Sequence, residues 1–218
     1  MPLKYLEVET SDNPDACVIW LHGLGASGHD FEAAVPELGL DESLKIRFIF
    51  PHAPQIPVTV NGGYVMPAWY DILQMGEGRK INKAQLIDSA DAVTDLINQQ
   101  VENGIHSERI VIAGFSQGGA VAYHTALSYP KKLAGLLALS TYFATAQDVK
   151  LQSTNSALPV MVMHGEYDPV VLPSLGREAL GELVTLGIVP VWKTYAMEHA
   201  VCMPQLRDIG RWIETQLS

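Results

Sequence analysis

The sequence predicts an α/β protein, with a mostly parallel sheet and helices on both of its faces. Three observations lead there. Short, nearly unbroken apolar runs recur along the chain, amphipathic stretches of helical period lie between them, and no repeat, low-complexity tract or linker-like run divides the 218 residues. Strands covered on both faces lose the polar/apolar alternation of a half-exposed sheet, so continuous runs are what parallel strands between helices should show. A chain of this length suits one domain with one core, taken as residues 1–218.

The elements follow in order. Residues 16–21 (ACVIWL) run into His22-Gly23-Leu24-Gly25 and read as a buried strand entering a tight loop. Residues 46–50 form a second run, stopped by Pro51. The runs at 109–115, 133–140 and 159–164 are the third to fifth, and a more mixed run at 189–195 is the sixth. Between them, residues 83–103 place Leu86, Ile87, Ala90, Val93, Ile97 and Val101 near one helical face. Residues 117–128 are small and apolar, and 175–186 and 204–217 are amphipathic. The stretch from 55 to 80 fits neither pattern: Pro57, Gly62, Gly63, Pro67, Gly76 and Gly78 interrupt many apolar residues. It reads as a packed loop or short hairpin, a kind of segment that either carries function or covers a core edge.

Composition excludes several classes. Hydrophobic residues make up 48% and charged residues 17%, the balance of a folded globular chain. A formal net charge of −10 repels phosphates and argues against a nucleic-acid partner. The run from Leu133 to Leu139 is far too short for the ~20 residues of a membrane helix, and the first ten residues lack an apolar signal core. A cytoplasmic protein without a membrane span is expected, with Cys17 and Cys202 as reduced thiols. No HExxH or carboxylate cluster suggests a metal, and the expected chemistry needs no cofactor.

That chemistry centres on Gly114-Phe115-Ser116-Gln117-Gly118, a G-x-S-x-G pattern between a predicted strand and a predicted helix. The sharp turn exposes the serine Oγ, and the flanking glycines allow strand and helix to approach closely. The pattern in this context predicts the nucleophile elbow of an α/β-hydrolase fold. A serine hydroxyl needs a base, and in this fold the acid and the histidine follow it in that order. His199 comes last and is the candidate base; His164 precedes the acid and has the wrong order. Asp168, in Gly165-Glu166-Tyr167-Asp168-Pro169, is preferred as the acid, with Glu166 and Glu198 as rivals. The backbone N–H groups of Gln117 and Leu24 are the candidate oxyanion donors. Val60, Trp69, Ile72, Met75 and Val170, together with Leu24, are candidate walls for the substrate, and Trp69 has the alternative role of bracing its loop. His22 is expected to organise the glycine loop and His52 to brace a turn.

His22-Gly-Leu-Gly, Pro51-His-Ala-Pro, Trp69-Tyr-Asp, Gly114-Phe-Ser-Gln-Gly-Gly, His164-Gly-Glu-Tyr-Asp168 and His199 together resemble the bacterial carboxylesterase and acyl-protein thioesterase/lysophospholipase family, over residue 16 to the C-terminus. Length and acidity are similar to Pseudomonas-type carboxylesterases. The resemblance implies a hydrolase without a large cap domain, the triad Ser116, Asp168 and His199, oxyanion donors at Leu24 and Gln117, and commonly a homodimer. The first functional expectation is a serine carboxylesterase for short to medium acyl chains. The second is a lysophospholipase or acyl-protein thioesterase for long chains, and the third a hydrolase-fold binding protein without catalysis. The expected partner is a small-molecule ester or lysolipid.

Overall fold

The computed structural model describes residues 2–76 and 79–218. Its centre is a seven-stranded sheet built from β1 (Tyr5–Glu9), β2 (Ala16–Leu21), β3 (Ile46–Pro51), β8 (Ile110–Phe115), β9 (Gly135–Leu139), β10 (Val160–Gly165) and β11 (Val191–Tyr195). Two small hairpins stand outside it, β4 (Gln55–Val58) with β5 (Tyr64–Pro67) and β6 (Ile72–Gln74) with β7 (Lys80–Ile81). The strand order is β1-β3-β2-β8-β9-β10-β11, and every pairing is parallel except β1 with β3.

Among the described residues five α-helices accompany the strands: α1 (His29–Glu32), α2 (Lys83–Glu102), α3 (Gln117–Ser128), α4 (Pro173–Thr185) and α5 (Met203–Leu217). Alternate residues of one strand serve opposite layers. Cys17, Ile19 and Leu21 join the core under α2, α3 and α4, while Ala16, Val18 and Trp20 join the core under α1 and α5. This is why the strand reads as an unbroken apolar run. In α5, Leu206, Ile209, Ile213 and Leu217 recur at helical spacing and bury against that second layer. Truncating Ile209, fully buried, to Ala costs about 2–5 kcal/mol.

The predicted strands and helices fall where the runs lie, with ends shifted by one or two residues. Two features were not anticipated, and a third goes beyond the packed loop or short hairpin expected at 55–80. Tyr5–Glu9 forms an antiparallel edge strand whose residues are half-buried or exposed, so it lacks the apolar run of its neighbours. The helix at His29–Glu32 is a single turn, too short to show a period. Finally, the 55–80 stretch is two hairpins; its Gly78 lies outside the described residues.

Candidate active site

The carboxyl ends of β2, β8, β10 and β11 converge on one edge of the sheet, where ligands bind in open parallel sheets. Ser116 sits between the end of β8 and the start of α3 with φ +54° and ψ −119°, a region that costs a non-glycine residue about 1–3 kcal/mol. The turn is over-determined. The Ser116 N–H donates to Leu139 O (2.9 Å), and the Thr141 hydroxyl donates to Ser116 O (2.6 Å). A Cβ on Gly114 would stand 2.5 Å from Gly118 O, and one on Gly118 would stand 2.5 Å from His22 O, so strand, helix and glycine loop meet only without side chains there.

His199 lies on the loop between β11 and α5. Its Nε2 is 2.9 Å from Ser116 Oγ, and its Nδ1 is 2.7 Å from Asp168 Oδ2. The Phe115 ring lies 4.8 Å from the imidazole, centroid to centroid. The loop is seated on the β10 end: the Tyr167 N–H donates to Met197 O, and Gly165 leaves room for the Met197 and Glu198 carbonyls. Asp168 is buried, and its Oδ1 accepts from the Val170 and Val171 N–H groups at 2.9 Å each. Burial alone would push its pKa up. The hydrogen bonds from His199 and from the Val171 and Val170 N–H groups outweigh burial and hold the carboxyl below its ordinary value. The rival acids lie elsewhere: Glu166 accepts from the Thr194 hydroxyl, and Glu198 is exposed.

His164 does not reach the serine, in keeping with its chain order, but it is not idle. It is fully buried with Nε2 3.6 Å from Asp168 Oδ2, and the same nitrogen donates to Val171 O at 2.8 Å. It therefore secures the turn whose N–H groups hold Asp168. Burial pushes its pKa down, which favours the neutral ring. A histidine that precedes its acid gives no sequence signal for this role beyond the spacing of four residues.

The Leu24 and Gln117 N–H groups donate to no protein acceptor among the described residues. Leu24, Gln117, His199 and Ser116 share one cavity of about 510 Å³, whose remaining walls include Phe31, Ile72, Met75, Tyr142, Val170 and Val201. The glycine loop is held by His22, whose Nδ1–H donates to Gly23 O (2.7 Å) while Nε2 accepts from the Ala53 N–H (3.0 Å). His52 Nδ1 accepts from the Gly28 N–H, a brace of the kind expected.

Two expected wall residues are misplaced. Trp69 is buried and does not line the cavity; its Nε1–H donates to His22 O (2.8 Å) and its N–H to Gln117 Oε1 (2.8 Å). It braces the glycine loop instead. Val60 packs half-buried against the core on the turn between β4 and β5, and does not line the cavity either. Ile72, Met75 and Val170 do line it. The Gln117 side chain, missed in the sequence, is clamped at both ends, since its Nε2 donates to Tyr70 O at 2.7 Å.

A hydroxyl, an imidazole and a buried carboxylate in one hydrogen-bonded line, beside two free N–H groups, can form and break an acyl-serine. Comparisons agree with that chemistry. The phospholipase/carboxylesterase family model matches residues 3–217. Acyl-protein thioesterase 1 of Gibberella zeae is 37% identical, over 93% of this chain and 91% of its own. The Neurospora crassa protein of the same name is also 37% identical, over 93% of this chain and 87% of its own. The crystal structure of Arabidopsis thaliana SOBER1 superposes with a TM-score of 0.87 at 30% identity, covering 93% of this chain and 99% of that one. The bacterial, Pseudomonas-type affinity expected from the sequence is not where these relatives lie: they are fungal and plant proteins, and a Bacillus cereus carboxylesterase at 17% identity shares the fold alone. The chain is a serine hydrolase with the α/β-hydrolase fold, and it belongs to the phospholipase/carboxylesterase family.

Proposed function

We propose that this chain hydrolyses acyl thioesters and esters with long acyl chains, in the manner of an acyl-protein thioesterase. Ser116 is the nucleophile, His199 the general base and Asp168 its orienting acid. The observation that carries this reading is the hydrogen-bonded line Asp168–His199–Ser116 opening into a mainly apolar cavity. The names and identities of the fungal relatives favour the long-chain reading over the short-chain esterase first expected.

Ser116 Oγ attacks the carbonyl carbon as His199 Nε2 takes its proton, and the oxyanion lies against the Leu24 and Gln117 N–H groups. His199 then gives that proton to the departing thiol or alcohol. A water repeats the sequence on the acyl-serine, releasing the acid and restoring the hydroxyl. Asp168 keeps the proton on Nδ1 and stabilises the imidazolium without taking the proton. Ile72, Met75 and Val170 read the acyl chain, where one methylene is worth only ~1–3 kcal/mol and selectivity is accordingly graded.

The test is a series of acyl thioesters from butanoyl to hexadecanoyl, with fluorophosphonate labelling of the intact protein. The expected result is a kcat/KM that rises with chain length and a label lost in Ser116→Ala. Labelling that survives Ser116→Ala, or a kcat/KM that falls steadily from butanoyl upward, would overturn the reading. The finer expectations go with it: one domain over 1–218, a cytoplasmic location and a homodimer, the last read by sedimentation.

A further inference from the structure

The cavity at Ser116 straddles the carboxyl edge of the sheet and has two arms. Ile72 and Tyr142, from the core layer under α2, α3 and α4, wall one arm. Phe31 and Leu206, from the layer under α1 and α5, wall the other, and Ala34 and Val201 pack against that layer beside them. The second arm begins at the base. The Phe115 ring lies 4.8 Å from the His199 imidazole and 5.8 Å from the Phe31 ring, centroid to centroid, so an aromatic floor runs from His199 to α1. Besides His199, two charge-bearing side chains line the cavity among the described residues, and they stand on opposite arms. Arg79 lies over the Tyr142 ring on the first, and Asp30 precedes Phe31 on the second. Asp30 Oδ1 accepts from the Ser27 N–H at 3.0 Å. Among the described residues its Oδ2 accepts no hydrogen bond, and no basic group lies within 4.0 Å of either oxygen. The fold therefore ties this carboxylate down by one oxygen and leaves the other for whatever fills the arm.

The departing thiol or alcohol must stand beside His199 Nε2 to receive its proton. Ala200 and Val201, which follow His199 in the chain, line the cavity on that side. With the acyl part against Ile72, Met75 and Val170, the rest of the leaving group enters the arm of Phe31, Val201 and Asp30. Resting on the acyl-protein thioesterase reading above, we propose that this arm is a leaving-group subsite, and that Asp30 makes it select acylated peptides with a lysine or arginine beside the acyl-bearing cysteine. The stem of such a residue lies on Phe31, Ala34 and Val201 while its charged head reaches Asp30 Oδ2. A carboxylate above low-polarity walls acts through less water than one on an open surface, and the cleft focuses its field. An acidic leaving group meets the same field as repulsion. The net charge of −10 works in the same direction at longer range. One exposed ion pair is worth about 1.4- to 5-fold in binding, so attraction of a lysine and repulsion of a glutamate together give a contrast of about fivefold.

The experiment measures kcat/KM for two S-octanoyl cysteine peptides that differ in one residue beside the cysteine, Lys or Glu, and reports the Lys-to-Glu ratio. At low ionic strength the wild-type ratio should be about five. It should fall toward one as added salt shortens the screening length from ~30 Å at 0.01 M to ~3 Å at 1 M. Asp30→Asn keeps an oxygen for the Ser27 N–H and should bring the ratio close to one, and Asp30→Lys should bring it below one. Glu102→Gln makes the same change in net charge at the far end of α2, whose 20 residues span ~30 Å, and should keep the wild-type ratio. A wild-type ratio near one, a ratio that survives Asp30→Asn, or an equal fall in Glu102→Gln would overturn the proposal. So would cleavage of octanoylthiocholine with an Asp30 dependence that the peptides lack, since the arm would then take a small quaternary ammonium group. Failure to cleave any of these thioesters would instead overturn the proposed function, so the two failures are distinct.

Discussion

Gly165→Ala tests whether the base is placed by the close approach of two loops. Gly165 closes β10, three residues before Asp168, and a Cβ there would stand 2.3 Å from Glu198 O and 2.5 Å from Met197 O. Ordinary contact begins at 3.4 Å, so the Glu198 carbonyl must retreat by about 1 Å, and His199 follows it in the chain. Over-packing of this kind costs about 1–3 kcal/mol of stability, a fall in melting temperature of about 2–4 °C for each kcal/mol in a chain of this size. A catalytic group displaced by ~1 Å loses on the order of 10²-fold in rate. The assay is kcat/KM on an acyl thioester, with the rate of fluorophosphonate labelling as a second readout that does not depend on the acyl chain. Gly181→Ala is the control, because a Cβ at that helical position meets nothing within 4 Å. It should keep full activity and gain about 0.5–1 kcal/mol. A Gly165→Ala enzyme within threefold of wild type in both rates would refute the reasoning, since the loop would then yield without moving the imidazole.

Three further outcomes follow from the site. Trp69→Phe removes the Nε1–H that holds His22 O; it should cost about 1–3 kcal/mol in chemical denaturation and lower kcat more than it changes KM, because the oxyanion loop and not the acyl wall is loosened. Asp168→Asn keeps the shape but favours the wrong imidazole tautomer, and kcat should fall by about 10⁴-fold in a steady-state assay. The pH dependence of unfolding has two parts. Burial lowers the pKa of His22 and His164 in the fold, so the unfolded chain binds more protons and stability should fall as pH drops below ~6.5. Burial would raise Asp208, but hydrogen bonds from Lys193, Tyr195 and Arg211 bring it down to about 2. Its contribution is complete above the unfolded value near 4 and lost as pH falls toward 2, so the fall in urea midpoint across that window should be smaller in Asp208→Asn than in the wild type.

What could be read in the sequence was whatever local chemistry dictates. The strand at 16–21 is visible because both its faces are buried, and the elbow is visible because a serine forced to positive φ needs small neighbours. The order serine, acid, histidine follows from which strand ends meet at one edge. The edge strand at Tyr5–Glu9 is not visible, since half-buried residues give a weak pattern. Val60 and Trp69 were misassigned because neither lies in a strand: Val60 sits on the turn between β4 and β5 and Trp69 lies two residues past β5, where no period says which way a side chain points. The pairing of Arg79 with Tyr142 joins residues 63 positions apart and has no sequence signature.

The side chain of Gln117 has a consequence for how such an enzyme can be changed. The proposed triad rests on strand ends of the central sheet, whereas much of the proposed acyl wall rests on hairpins outside it, so the two parts can be rewritten separately. One amide pins them together, accepting from the Trp69 N–H and donating to Tyr70 O, while the main-chain N–H of the same residue is the proposed oxyanion donor. Substrate range can drift through Ile72 and Met75 at little cost to rate. Backbone changes at 69 and 70 would pull directly on the serine's neighbour, so divergence in what is cleaved should stop short of those two positions.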